Sequence, residues 1–205
     1  SNWGTTGDLA LKPEITAPGG KIYSVNGGTS AGAATDRYIV MSGTSMAAPQ
    51  ISSIGTLVNE FIEDNSYEGE FANPLRGLAQ SLMMSTAKPI TDQDGDYYSL
   101  LQQGAGLVDA AAATSADSYI KMSSNATQSY DDGKVKAELG DDPERTGVYT
   151  FKFEIHNLDG AEHTYDLRAD VFAQDHFEAA ATDDGAYTAE FMDKSTKRLG
   201  AQASF

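Results

Sequence analysis

The hydrophobic period of this chain changes once, near Ser115, and that change calls for two kinds of structure in succession. Before it, from about Met46 to Asn65, apolar residues recur at helical spacing: Ile51, Ile54, Val58, Phe61 and Ile62, with Gly55 on the same stripe. An amphipathic helix of several turns is predicted there. A second helical pattern starts at Pro74, which suits a first turn, and runs through Leu75, Leu78, Leu82 and Met83. A short alanine-rich one covers 107–114, and the apolar pieces 15–17 and 38–41 are expected as buried strands.

After Ser115 the period is two. Tyr149, Phe151, Phe153 and Ile155 alternate with Thr150, Lys152, Glu154 and His156, and Tyr165, Leu167, Ala169 and Val171 alternate with Asp166, Arg168 and Asp170. Both stretches read as half-buried antiparallel strands with the aromatic residues facing inward. With 134–139 before them and 186–191 after, they predict an all-β sandwich over 116–205. Residues 197–205 begin another alternating segment and then stop, which would leave a strand pair unfinished, so that sandwich is expected to be truncated. The first half, 1–115, is expected to be α/β.

Composition limits the function. The net charge of −16 is spread along the 205 residues, which argues against binding phosphate backbones and for a strongly solvated surface. Nucleic acid is therefore not an expected partner. The absence of cysteine removes disulfides, thiolate catalysis and Cys-based zinc sites together. No apolar run approaches bilayer length, and no basic or cleavable apolar stretch opens the chain, so on this ground the protein is expected either to be cytosolic or to have its targeting segment outside these residues.

Chemistry is suggested at one place. Gly43, Thr44 and Ser45 precede the first helix, so small residues stand where the chain must turn, and the Ser45 hydroxyl and amide lie at the positive end of the helix dipole. That position suits a nucleophile and an oxyanion. It equally suits a helix cap, which is the plainer use of a serine there. Pro49 is expected within about the first turn, where its missing amide costs least.

Four separated blocks widen the context. The stretch 42–50, SGTSMAAPQ, resembles the serine motif Gly-Thr-Ser-Met-Ala-x-Pro of the subtilisin-like serine proteases. Residues 12–24, KPEITAPGGKIYS, are similar to the Lys-Pro-Asp-x-x-Ala-Pro-Gly segment that precedes that motif in the family. Residues 82–87, LMMSTA, and 103–113, QGAGLVDAAAA, resemble the helix and the Gly-x-Gly-x-Val-Asp-Ala close of its catalytic domain. Within the family the opening 20 residues look most like the large cell-envelope proteases of Gram-positive bacteria, of the lactocepin and C5a-peptidase kind.

The resemblance implies a parallel α/β sheet flanked by helices, of which 1–115 would be the C-terminal part, followed by a fibronectin-III-like domain. It implies Ser45 as nucleophile and oxyanion donor, with Gly43 and Thr44 beside the substrate. Protein or peptide substrates and a secreted or cell-surface location in a Gram-positive bacterium follow from it too.

The chain departs from the family pattern in one chemical respect. The family's triad runs Asp, His, Ser along the chain. Here the 3 histidines, His156, His163 and His176, all follow Ser45 and read as surface residues of the β half. Asp8, Glu14 and Asn2 precede Ser45 but lie in none of the family's triad or oxyanion blocks. A serine hydroxyl without a base is a poor nucleophile, general-base assistance being worth on the order of 10²–10⁴ in rate. The isolated chain is therefore expected to be inactive, with the N-terminal part of its own catalytic domain as a partner and dimerisation through the incomplete sheet as an alternative. At position 50 the family usually has histidine, and Gln50 stands there.

Two further motifs are weaker. Ser85 to Lys88 matches the Ser-x-x-Lys of penicillin-binding enzymes without their Ser-Asp-Asn and Lys-Thr-Gly elements. Asp92, Asp94 and Asp96 around Gly95 resemble the start of a Ca²⁺ loop, but the closing Glu is replaced by Gln103, and a solvated turn is the favoured reading. No cofactor is required. A non-catalytic pseudo-protease or cell-surface binding module is the rival to the protease reading.

Overall fold

A computed structural model of the chain describes residues 4–7, 10–27, 38–93, 95, 97–123, 131–139 and 143–166, with the backbone of 169–174 and 196–201. The element order is β1 (Ile22–Val25), β2 (Tyr38–Met41), α1 (Thr44–Asp64), α2 (Pro74–Ser85), α3 (Leu100–Gln103), α4 (Ala110–Ala113), β3 (Ser118–Met122), β4 (Phe153–Asn157), β5 (Ala169–Gln174) and β6 (Thr196–Ala201).

The helical stripe forms as its spacing predicts. Val58 and Ile62 are buried, while Ile51, Ile54, Gly55 and Phe61 are half-buried on the same side of α1. α2 packs against this stripe through Leu78 and Leu82, both fully buried. Pro74 opens α2, and the Asn73 side chain accepts a hydrogen bond from the Arg76 amide at 3.1 Å, closing the helix start. The alanine-rich helix is only one turn, because Leu107 is drawn into backbone bridges to Thr16 and Lys88; Asp109 caps what remains.

The core runs through the point where the period changes. Val58, Ile62, Phe71, Leu78, Ala79, Leu82, Ala113 and Tyr119 form one cluster, so β3 is packed on α2. The buried Ser81 hydroxyl donates to the Ile120 carbonyl at 2.7 Å, tying helix to strand.

The burial expected for 38–41 and for Tyr149 and Phe151 is corrected, and the parallel sheet and the sandwich are represented only in part among the described residues. Parallel pairing among the described residues is one bridge, Thr16 to Leu107, held by Thr16 N–H to the Gly106 carbonyl and Val108 N–H to the Thr16 carbonyl, each 2.9 Å. The segment 38–41 is a strand but an exposed one. It pairs antiparallel with β1 in a two-stranded ribbon, with no further strand in its sheet among the described residues.

The predicted sandwich is represented by two separate antiparallel pairs, β3–β4 and β5–β6. Residues 134–139 run without strand pairing, and 186–191 lie outside the described residues. Tyr149 and Phe151, expected to face a core, are 50% and 55% exposed. On β4 Phe153 is half-buried as expected, and so is His156 on the opposite face, its ring stacked on Tyr119 with centroids 4.9 Å apart. Alternation decides which side chains share a face of a strand. Which face is covered depends on the neighbour, here the buried Tyr119 of β3.

Candidate functional site

Ser45 is the second residue of α1, one position inside the helix rather than at its cap. The N-cap is Gly43, and no side chain caps the helix; the amide of Met46 donates instead to the Gly43 carbonyl at 3.0 Å. The capping use of Ser45 is thereby overturned. Its side chain is exposed, and among the described residues neither its hydroxyl nor its amide has a hydrogen-bond partner. An amide at this position is one of the donors that a helix leaves unsatisfied, and the dipole favours negative charge beside it.

Pro49 is the sixth residue of α1, beyond the first turn. Its missing N–H is the one that would have bonded to the Ser45 carbonyl, so the backbone is loosened one turn into the helix.

Two grooves meet at this helix start. One, of about 790 Å³, is lined by Ser45, Met46, Pro49 and Gln50 on the helix side and by Lys21, Tyr23, Val25, Ile39 and Met41 on the hairpin side. The other, of about 760 Å³, is lined by Gly43, Thr44, Ala47 and Ile51 together with Ile15, Ala17 and Gly19. Both walls are mainly apolar. Ser45 thus opens to one groove and Gly43 and Thr44 to the other.

The turn between the grooves is pinned to the helix. The Gly43 amide donates to the Gly19 carbonyl at 2.8 Å, the Lys21 amide donates to Ser42 Oγ at 2.8 Å, and Gln50 Nε2 donates to the Pro18 carbonyl at 2.6 Å. Gly19 is needed for this closeness, since a Cβ there would stand 2.8 Å from the Gly43 carbonyl oxygen. These contacts join residues 21 to 32 positions apart, a separation at which no local pattern marks them.

The other candidate residues fall elsewhere. His156 Nε2 lies 3.1 Å from Glu154 and Nδ1 3.8 Å from Glu70. His163 Nε2 lies 2.9 Å from Asp159 and Nδ1 3.7 Å from Asp117. Its bond to Asp159 holds the imidazole above its ordinary pKa. Asp159 is held below the usual carboxylate range, first by the Ala161 amide and then by His163. Asp117, Asp159 and His163 offer ligand atoms within 4.8 Å of one another. Each ring nitrogen faces a different carboxylate, an arrangement that suits an imidazolium between two anions better than a shared metal.

Asn2, Asp8, His176, Asp94 and Asp96 lie outside the described residues; Asp92 lies within them. Glu14 is taken up by Lys12 and Lys136. Lys88 pairs with Asp109 at 2.6 Å, which draws it away from a role beside Ser85. Gln103 is buried: it donates to the Tyr98 carbonyl at 2.6 Å and accepts from the Ile90 amide at 2.6 Å, closing the 90–103 loop with its own side chain. Among the described residues no helix is long and apolar enough to cross a membrane.

Comparison with known proteins gives the family. The model of the Subtilase family, Peptidase S8, matches residues 1–106. The C5a peptidase of Streptococcus pyogenes is 37% identical over 128 residues, which is 62% of this chain and 10% of that protein. The PII-type proteinases of Lacticaseibacillus paracasei and of Lactococcus lactis subsp. cremoris are each 31% identical over 82% of this chain and 8% of theirs. The chain belongs to the Subtilase family, and it spans about a tenth of the length of the curated relatives it matches.

Proposed function

We propose that Ser45 is the nucleophile of a subtilisin-like serine endopeptidase and that its amide helps hold the oxyanion of the tetrahedral intermediate. The observation that carries this reading is an exposed serine in the first turn of a 21-residue helix, its hydroxyl and amide without partners among the described residues, at the meeting of two apolar grooves. In this reading a histidine from another part of the polypeptide takes the hydroxyl proton and returns it to the leaving amine, and an aspartate orients that histidine. Neither His156 nor His163 is among the residues that line the two grooves at Ser45, which speaks against either as the base.

The 205 residues alone are then inactive, and the exposed β1–β2 ribbon is where the rest of the catalytic domain, or a second copy of the chain, would pack. Substrates would be proteins or peptides lying along the apolar walls. The cell surface or the medium of a Gram-positive bacterium is the setting consistent with the streptococcal and lactobacillal relatives. Gly43 and Thr44 would line the bound peptide.

The test is labelling of the full-length protein by a fluorophosphonate, with Ser45→Ala as control. Ser45 is expected to be the modified residue, and the substitution to remove labelling and at least ~10⁴ of the hydrolysis rate. A folded full-length protein that is not labelled would favour a non-catalytic surface module.

A further inference from the structure

Gln50 is the residue in this region whose role the protease reading leaves unexplained. It sits in α1 more than a turn beyond Ser45, and its Nε2 donates to two carbonyls, Pro18 at 2.6 Å and Met46 at 3.0 Å. Both acceptors are main-chain oxygens, so only the NH₂ end of the amide satisfies them and the side-chain orientation follows from the chemistry. One contact is within the helix. The other crosses to the turn that separates the two grooves.

That turn has three fastenings, and they are not equivalent. Gly43 N–H to Gly19 and Lys21 N–H to Ser42 Oγ attach it to the segment just before the helix. The Gln50 bond attaches its Pro18 end to the helix body. Gly19 already stands so close that a Cβ there would meet the Gly43 carbonyl oxygen at 2.8 Å, which limits movement inward. Movement outward at Pro18 is opposed by Gln50. Gly19 belongs to the wall of one groove and Lys21 to the wall of the other, so the angle of this turn sets the width of both.

We propose that Gln50 is a positioning residue that holds the 18–21 turn against the serine helix, fixing the two groove walls that a peptide must contact on either side of Ser45. The inference rests on the reading of Ser45 as nucleophile. Ser45 is placed by its own helix backbone, through Met46 N–H to the Gly43 carbonyl. Loss of Gln50 therefore falls on peptide binding rather than on the chemical step.

The experiment uses the full-length protein, a fluorogenic peptide extending several residues to both sides of the cleaved bond, and a small fluorophosphonate that reacts at Ser45 without filling either groove. Gln50→Ala is expected to raise KM about fivefold, the worth of one neutral hydrogen bond, while kcat and the labelling rate stay within about twofold. Gln50→Glu matches the shape but cannot donate, and should behave as the alanine variant does. Gln50→His retains a ring N–H and should bring KM back to within about twofold of the wild type.

An unchanged KM in Gln50→Ala, a wild-type KM in Gln50→Glu, or an equal fall in kcat and labelling across the variants would each overturn the proposal. Failure of the wild-type protein to label at Ser45 is a separate result. It would remove the nucleophile reading, and this inference with it, whereas normal wild-type labelling with an indifferent Gln50 removes the inference alone.

Discussion

Two antiparallel pairs of nearly equal length, β1–β2 and β3–β4, have opposite surroundings. In β3, Tyr119 and Met122 are 2% and 7% exposed, and the strand lies against α2 in the main core. In the β1–β2 ribbon, Tyr23 and Val25 are each 68% exposed and Val40 56%. An isolated two-stranded ribbon is marginal in water, so this one draws its order from elsewhere. Its supports are the stacked rings of Tyr23 and Tyr38, 5.2 Å apart, and the pinned turn at its base. The pair that is packed joins the two halves of the chain. The pair that is not packed supplies an apolar wall to the groove at Ser45.

The comparison is broken most directly by truncation to alanine in the two places. Leu82→Ala, beneath β3, should cost about 3 kcal/mol in denaturant unfolding, because a fully buried side chain leaves a cavity. Val40→Ala on β2 should change stability by no more than about 0.5 kcal/mol. Similar costs at both sites would mean that β1–β2 is buried in the folded protein after all. An effect smaller than that of Leu82→Ala and confined to the ribbon is expected from Tyr38→Ala, which removes the ring stack worth about 0.5–1.5 kcal/mol. It should quicken amide exchange in 22–25 and 38–41 and leave the global unfolding midpoint in place.

The smallest effect is electrostatic and belongs to the packed side. His163 is half-buried, facing Asp159 and Asp117, with the Tyr165 ring beside it. Its raised pKa means that the pairing stabilises fully below the ordinary value of about 6.5 and fades as pH rises through the folded-state value. At the acid end Asp159, with its lowered pKa, holds its contribution until pH falls through that lowered value. Proton NMR titration of the His163 ring should give a pKa above about 6.5, and Asp159→Asn should bring it down. No change in that variant would show that the pair does not persist in solution.

Legibility followed the range of the forces involved. The stripe of α1, the Pro74 start of α2 and the motif around Ser45 depend on spacings of a few residues, and each was readable as such. On β4 the inward place of Phe153 holds, but the cover over His156 on the opposite face comes from Tyr119 of the neighbouring strand, and alternation is symmetric between the two sides. Tyr38–Met41 was misjudged because apolar residues mark a segment that gains by burial, whether or not an element exists to cover it.

The candidate site divides in the same way. Its serine, the small residues before it and the family could be read from the order of four short blocks, because a tight turn into a helix limits which residues can stand there. That Ser45 lies inside the helix and not at its cap was decided by the chain entering through Gly43. The two grooves, and the hold of Gln50 on Pro18 between them, exist only once residues 32 apart are brought to 2.6 Å. Hydrogen bonds of that kind depend on distance in space and carry no period along the chain, so tertiary structure alone could supply them.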